Sequence, residues 1–246
     1  MPRLAAVTLA AIKRGWAAEL GCAPEHFDTD RTVAVPRKAG DAADSIFLFV
    51  YDQALVVTAP PSLLPSLGRR VAQLRAVQLT PAACLEAVGA ERVERVIGPA
   101  YYGYADAGTL CSITGGGVRW LEPADAPLLA GLPASCSPPD WEEAGALHSA
   151  LPLVGQFVGA ALVAVAGYRV WPSGLAHLGV VTHPGYRGRG YGTVVVQRLA
   201  AEALRQGLVP QYRARMVNKA SIAIATALGF EPCATSIALR LKPSTP

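Results

Sequence analysis

Charged residues are scarce in this sequence. They make up 16% of its 246 residues, whereas hydrophobic residues make up 52%. A chain of this composition can bury a full core, which excludes an intrinsically disordered protein. No run of like charge occurs, and 22 basic against 18 acidic residues give a net charge of +4. The sequence therefore gives no sign of a nucleic-acid partner, and its small positive excess suits an anionic small ligand.

Cysteine pairs and long apolar runs are also missing. The five cysteines lie far apart: Cys22, Cys84, Cys111, Cys136 and Cys233. Their odd number and the lack of a Cys-x-x-Cys pair support neither a zinc site nor a disulfide framework. Lys13 and Arg14 interrupt the N-terminal apolar stretch well before the ~20 residues of a membrane span. We expect a soluble cytoplasmic protein without a metal or a membrane partner, and with free thiols in a reducing compartment.

Three consecutive glycines give the clearest boundary signal. Gly115, Gly116 and Gly117 have no side chains to pack and a high ordering cost, which favours a linker or a tight turn. The sequence therefore predicts two domains, residues 1–115 and residues 118–246. The first mixes helices and strands but carries no recognisable motif.

Hydrophobic patterns and turn residues predict a mixed α/β protein. Before the boundary they predict helices over 3–20, 62–74, 81–88 and 91–97, with strands over 32–35, 45–51 and 54–58. After it they predict strands over 118–121, 157–169, 175–182 and 237–241, a loop over 133–139, and helices over 123–131, 193–206 and 219–228. A further helix is predicted to begin at Asp140 as its N-cap.

The strongest functional signal is the segment GVVTHPGYRGRGYG, from Gly179 to Gly192. A β-branched strand runs into a loop with four glycines in eight positions, and a helix follows. Few side chains shield this loop, so its backbone N–H groups can approach a ligand closely. The helix start adds free N–H groups and the positive end of its dipole. The segment predicts a phosphate or pyrophosphate site, with Arg187 and Arg189 adding charge.

Two other phosphate-binding loops do not fit. A P-loop requires a lysine, and this loop has none. The dinucleotide fingerprint requires a third glycine where this chain has Thr193. The segment reads Arg-x-x-Gly-x-Gly instead, with Arg187, Gly190 and Gly192 at the defined positions.

This strand and loop resemble the pyrophosphate-binding motif of the GNAT superfamily of N-acetyltransferases. A second match, N-x-x-S-x(6)-L-G-F, begins at Asn218, about 26 residues after Gly192. Its other members are Ser221, Leu228, Gly229 and Phe230. The resemblance covers about residues 175–241. It is closest to a two-domain GNAT group that has an extra N-terminal domain.

The resemblance implies a GNAT fold in the C-terminal half, preceded by a smaller, degenerate GNAT-like α/β domain. It implies acetyl-CoA as the cofactor and direct transfer of the acetyl group to a primary amine of a small molecule. Two alternatives stay open: a protein lysine or N-terminal acetyltransferase, and an acyl-CoA-binding protein without enzymatic activity. The N-terminal domain would either shape the acceptor pocket or form a homodimer interface.

The resemblance also implies the cofactor contacts. Three strand residues would offer backbone groups to pantetheine: Val180, Val181 and Thr182. The amides that would hold the pyrophosphate are those of Gly188, Arg189, Gly190, Tyr191, Gly192 and Thr193. Arg187 and Arg189 would lie near the phosphates. Asn218 and Ser221 would lie near the pantetheine arm, although Asn218 could also act as a helix N-cap.

His177 is the leading candidate for the catalytic base, since it lies near the position where many relatives carry a glutamate. A neutral imidazole could accept the amine proton. A strand register shifted by one residue would put Ala176 there instead. Other candidates are His148, Glu142 and Glu143.

The usual proton donor to the leaving thiolate is a tyrosine, and its position here is Ala225. The thiolate would therefore rely on water, on no donor, or on another tyrosine. The tyrosines considered are Tyr101, Tyr102 and Tyr104.

Overall fold

The computed structural model describes residues 4–38, 44–144 and 152–243. Its strands are β1 Thr32–Pro36, β2 Ser45–Tyr51, β3 Ala54–Ala59, β4 Val93–Tyr104, β5 Val118–Trp120, β6 Leu153–Val158, β7 Ala161–Val170, β8 Leu175–Thr182, β9 Val209–Arg215 and β10 Glu231–Leu241. Its helices are α1 Ala6–Leu20, α2 Leu64–Val71, α3 Pro81–Val88, α4 Ala126–Ser135, α5 Pro138–Glu143, α6 Tyr191–Arg205 and α7 Lys219–Ala227. Both parallel and antiparallel strand pairs occur, which confirms the predicted mixed α/β class.

The chain divides into two compact units. The first, here called the glycine-loop unit, comprises Met1–Leu9, Gly103–Ala214 and Asn218–Glu231. The second, here called the aromatic-core unit, comprises Ala10–Tyr102, Arg215–Val217 and Pro232–Pro246. The domain division at residues 1–115 and 118–246 stays a prediction.

In the aromatic-core unit the strand order is β1-β3-β2-β10-β4. Successive side chains of β2 point to opposite faces of the sheet, so the two faces contact different groups of residues. Leu48 faces an aliphatic cluster with Leu67 of α2 and Val88 of α3. On the other face Phe49 stacks on Trp16, with ring centroids 3.9 Å apart. The predicted hairpin of β2 and β3 is confirmed.

The helix predicted over 91–97 is wrong, because β4 occupies that segment. The strand passes through Gly98, which had suggested a helix end. A Cβ atom at Gly98 would lie 2.8 Å from the carbonyl oxygen of Ser236 in β10. The glycine therefore permits close approach of two strands, and strand pairing outweighs the local helical preference.

In the glycine-loop unit the strand order is β9-β8-β7-β6-β5. Helix α6 packs on one side of β8, where Gly192 lies against Val180 and Thr182. Alternation places Val181 on the opposite side, in a cluster with Leu132 of α4. The single strand predicted over 157–169 is wrong, since β6 and β7 form a hairpin there. Its turn contains Gly159, at a φ of 58°.

The loop predicted over 133–139 is also wrong, because α4 continues to Ser135 and α5 begins at Pro138. Asp140 is not the N-cap of the following helix. It lies in the first turn of α5, and its backbone N–H donates to Ser137 Oγ over 3.3 Å. Pro138 and Pro139 lie in the first turn of α5, where prolines are well tolerated, whereas Pro133 lies inside α4.

Candidate functional site

Strands β8 and β9 separate part-way along their length. Their parallel pairing begins at Leu175 and Val209 and ends at Leu178 and Tyr212. Strand β8 nevertheless continues to Thr182, and it stays paired with β7 over that whole length. Beyond Leu178 the side of β8 that faced β9 is therefore open to an added, strand-like ligand.

The loop after β8 is shaped by local hydrogen bonds. The backbone N–H of Gly185 donates to His183 Nδ1 over 3.1 Å, and that of Tyr186 donates to the His183 carbonyl over 2.9 Å. Gly188 and Gly190 then adopt φ values of 75° and 79°. Glycine adopts this left-handed conformation without the strain that a Cβ atom would cause. Among the described residues, apart from those adjoining each glycine in the chain, no atom lies within 4 Å of the position that a Cβ would take at either residue, so this side of the loop is open.

The start of α6 presents backbone donors to this open space. Gly190 is the N-cap residue, and its carbonyl accepts from the Val194 N–H over 3.1 Å. Among the residues that the structure describes, none accepts a hydrogen bond from the N–H groups of residues 188–193. Unpaired amides at the positive end of a 15-residue helix are suited to binding an anion.

Gly192 brings this helix start close to the strand. A Cβ atom there would lie 2.9 Å from Thr182 Oγ1 and 3.2 Å from Ile224 Cδ1. A larger side chain would push α6 away from β8, and the amides of the loop would move with it.

The two loop arginines have different surroundings. The Arg187 guanidinium donates to the Thr182 carbonyl over 3.2 Å and to Asp140 Oδ2 over 3.0 Å. Arg189 lies 5.3 Å above the centre of the Tyr186 ring. Hydrogen bonds from Ser137 and then from Arg187 hold the pKa of Asp140 below its usual range, so its carboxylate is ionised near neutral pH. Arg187 is therefore paired with a carboxylate, whereas Arg189 stacks on an aromatic face.

A family model of GNAT acetyltransferases matches residues 158–235, which include the separated strands, the glycine loop and α7. These residues form a GNAT acetyltransferase domain. The chain is 29% identical to a protein from Novosphingobium aromaticivorans described as a GNAT-family acetyltransferase. That match covers 63% of this chain and 68% of the other, at a TM-score of 0.49.

A GNAT-family acetyltransferase from Colwellia psychrerythraea has a similar fold over part of this chain. The two are 16% identical with a TM-score of 0.50, and the match covers 65% of this chain and 62% of that one. A GCN5-related N-acetyltransferase-like protein from Streptococcus suis is matched over 95% of this chain and 100% of its own, at 16% identity and a TM-score of 0.49. No curated protein matches the sequence significantly.

The second GNAT motif lies at the start of α7. Asn218 is the N-cap, and its Oδ1 accepts from the Ser221 N–H over 3.0 Å. The Ser221 hydroxyl forms a 2.9 Å hydrogen bond with the hydroxyl of Tyr212, the last β9 residue paired with β8. Burial raises the pKa of Tyr212 to about 12, so this phenol stays protonated. Contacts of Asn218 and Ser221 with a cofactor remain a proposal.

His177 lies beside the point where β8 and β9 separate. It pairs with Gln211 across the parallel strands and with Arg169 across the antiparallel ones. Its Nδ1 atom is 3.0 Å from Gln211 Oε1. The ring lies 5.9 Å from that of Trp171 and keeps part of its surface exposed.

Burial among protein atoms, together with the positive charges of Arg213 and Arg169, lowers the pKa of His177 to about 4. The hydrogen bond with Gln211 acts in the opposite direction but is weaker than burial. His177 is therefore a neutral imidazole at physiological pH.

The lowered pKa makes the stability of the domain depend on pH. Between pH 4 and 6.5 the unfolded chain protonates His177 and the folded domain does not, so stability falls as the pH falls through this window. Over this range we expect the free energy of unfolding of the wild-type protein to fall by about 1–3 kcal/mol more than that of His177→Asn. Urea unfolding of both proteins at pH 7 and pH 4.5 measures the difference, and parallel pH curves would contradict it.

The other catalytic candidates have different placements. His148 lies outside the described residues, and so do the side chains of Glu142 and Glu143. Ala225, at the usual tyrosine position, is completely buried in α7. Tyr102 belongs to the aromatic-core unit, where its hydroxyl contacts Ser236 Oγ at 3.1 Å. Tyr101 belongs to the same unit, whereas Tyr104 belongs to the glycine-loop unit.

Sequence reasoning missed the residues that surround His177. Gln211 and Arg213 lie on β9, which the patterns did not predict as a strand. Apolar and polar residues do alternate in the segment VPQYRAR, but Pro210 and two arginines make the pattern less typical of a strand. Within the described ranges, no group of three His, Cys, Asp or Glu residues could hold a metal ion, and no helix has the length and apolarity to cross a membrane.

Proposed function

We propose that the GNAT domain transfers the acetyl group of acetyl-CoA to the primary amine of a small molecule. The observation that carries the proposal is the open loop of residues 188–193, whose unpaired amides lie at the start of α6 beside the separated end of β8. A pyrophosphate matches these amides in charge and hydrogen bonding. A pantetheine arm running along Val180, Val181 and Thr182 would take the place of the missing strand.

The reacting groups would meet near His177. As the amine attacks the thioester carbonyl, the C–N bond forms and the nitrogen becomes acidic. The neutral imidazole would accept that proton, and the C–S bond would break to release the CoA thiolate. Because the pKa of His177 is near 4, it cannot efficiently remove a proton from a free ammonium ion with a pKa near ~10.4. The acceptor would therefore bind as the neutral amine.

The charges near His177 favour one kind of acceptor. Arg169 and Arg213 are exposed, and both lower the pKa of this histidine electrostatically. The same field would disfavour a polycationic amine and lower the pKa of a bound ammonium ion. A carboxylate near the amine of the acceptor would be attracted by the positive charges of both arginines. We therefore expect amino acids to be better acceptors than polyamines.

Thiol release from acetyl-CoA against a panel of amines tests the function. The panel should contain amino acids, their amides, polyamines, a lysine peptide and a peptide with a free N-terminus. Turnover of the free amino acids above their amides supports the proposal. Turnover only on peptides would favour a protein acetyltransferase. Binding of acetyl-CoA without any turnover would favour a non-enzymatic acyl-CoA-binding protein. A cytoplasmic location and a homodimer stay predictions.

Asp140→Asn is expected to tighten CoA binding about two- to fivefold. The substitution removes a carboxylate that competes with phosphate for Arg187, and an exposed pair of this kind is worth about 0.2–1 kcal/mol. Calorimetric titration with CoA measures the change. Glu202→Gln is the matched control, because it removes an equal charge near the C-terminal end of α6, away from the loop. Equal tightening in both variants would show a general charge effect and contradict the local competition.

A further inference from the structure

Three side chains of the glycine-loop unit form a hydrogen-bonded row that ends at His177. His177 Nδ1 is 3.0 Å from Gln211 Oε1, and Gln211 Nε2 donates to the Tyr104 hydroxyl over 2.9 Å. Gln211 and Tyr104 are both completely buried. A buried amide without hydrogen bonds is costly, so both ends of the Gln211 side chain are held by their partners.

The orientation of the Gln211 amide in this row determines which nitrogen of His177 carries the proton. An amide oxygen can only accept a hydrogen bond. With Gln211 Nε2 directed at Tyr104, the oxygen is the atom that faces the histidine. The neutral imidazole must then carry its proton on Nδ1, and its lone pair lies on Nε2. Among the described residues, none forms a hydrogen bond with this Nε2 atom.

The position of the row connects it with acyl transfer. The His177–Gln211 pair lies one residue before the last paired position of β8 and β9, so it adjoins the opening proposed for pantetheine. The charged groups that act on the imidazole are Arg169 on β7 and Arg213 on β9, and the titratable Tyr104 on β4 lies at the other end of the row. Neither arginine can accept the proton of Nδ1, which leaves this task to Gln211.

We propose that Gln211 is a positioning residue that holds the His177 tautomer with its proton on Nδ1, so that Nε2 is the atom that accepts the proton of the attacking amine. Tyr104 holds the Gln211 amide in the required orientation. The inference rests on the proposed function, in which His177 acts as the base. It concerns a completely buried residue that acts through the histidine.

Nitrogen NMR of protein labelled with ¹⁵N-histidine tests the tautomer without any turnover. The chain has four histidines, and His177→Asn assigns the signal. The wild-type protein is expected to show a protonated Nδ1 and an unprotonated Nε2 at pH 7. A protonated Nε2 would overturn the inference, whatever the activity of the enzyme.

Two substitutions of Gln211 test its effect on the reaction. Gln211→Glu keeps an acceptor opposite Nδ1, so it should preserve the tautomer and turnover within about threefold, and raise the pKa of His177. Gln211→Leu removes the acceptor, and kcat is expected to fall about tenfold with a mixture of tautomers. Equal losses in both variants would indicate a purely structural role and overturn the inference. If the tautomer is as proposed but His177→Ala keeps the wild-type rate, the proposed role of His177 fails and the tautomer assignment stands.

Discussion

Gly190→Asp is expected to weaken CoA binding about 100-fold, which corresponds to about 3 kcal/mol. Gly190 is the N-cap of α6, and its unpaired amide adjoins the open space that the pyrophosphate would occupy. A carboxylate added there would face the phosphates. Two unit charges about 4 Å apart interact with roughly 4 kcal/mol at an effective dielectric constant of 20, and solvent reduces this value.

Gly190→Asn is the matched control for this effect. Asparagine and aspartate have almost the same shape, and both tolerate the φ of 79° at this position better than other residues with side chains. The asparagine variant should therefore lose much less affinity for CoA than the aspartate variant. A higher salt concentration should reduce the difference in affinity between the two variants. Calorimetric titration with CoA measures both, and equal affinities in the two folded variants would contradict a pyrophosphate site at this loop.

His177→Ala is expected to lower kcat about 100-fold while the Kd for CoA stays unchanged. A positioned base contributes about 10²- to 10⁴-fold, and the low pKa of this imidazole places it at the lower end. The loop that would hold the pyrophosphate lies beyond the other end of β8, so its amides should be unaffected.

The pH dependence separates this role from a general structural one. Since His177 stays neutral down to about pH 4, the ratio of wild-type to variant rates should be constant from pH 8 to about pH 5.5. A histidine with an ordinary pKa of ~6.5 would lose half of its contribution at about pH 6.5 and roughly nine-tenths of it at pH 5.5. A variant with the wild-type rate throughout would exclude His177 from the mechanism.

The glycine loop could be predicted from sequence because its chemistry is local. The order of strand, glycines and helix start is continuous from Gly179 to Gly192, and no distant contact is needed to form it. The same holds for β2, β3 and α3, whose patterns are strong over short segments. Asn218 is confirmed as an N-cap for the same reason, since it bonds to the Ser221 N–H three residues later.

The environment of His177 could not be predicted in this way. Its hydrogen-bonded row joins residues 104, 177 and 211, which are far apart in the chain. The pairing of Arg187 with Asp140 likewise spans 47 positions. Strand β4 could not be predicted from local sequence either, because its neighbour in the sheet, β10, lies more than 130 residues away in the chain. The intrinsic secondary-structure propensity of a segment has little influence where long-range strand pairing supplies its hydrogen bonds.

Calorimetric titration of the wild-type protein with acetyl-CoA and with acetyl-pantetheine tests the central claim most directly. Acetyl-pantetheine keeps the thioester and the arm but lacks the pyrophosphate. If the amides of residues 188–193 hold that group, acetyl-CoA should bind at least about 100-fold more tightly. Equal affinity for the two compounds, or no binding of acetyl-CoA, would contradict the account.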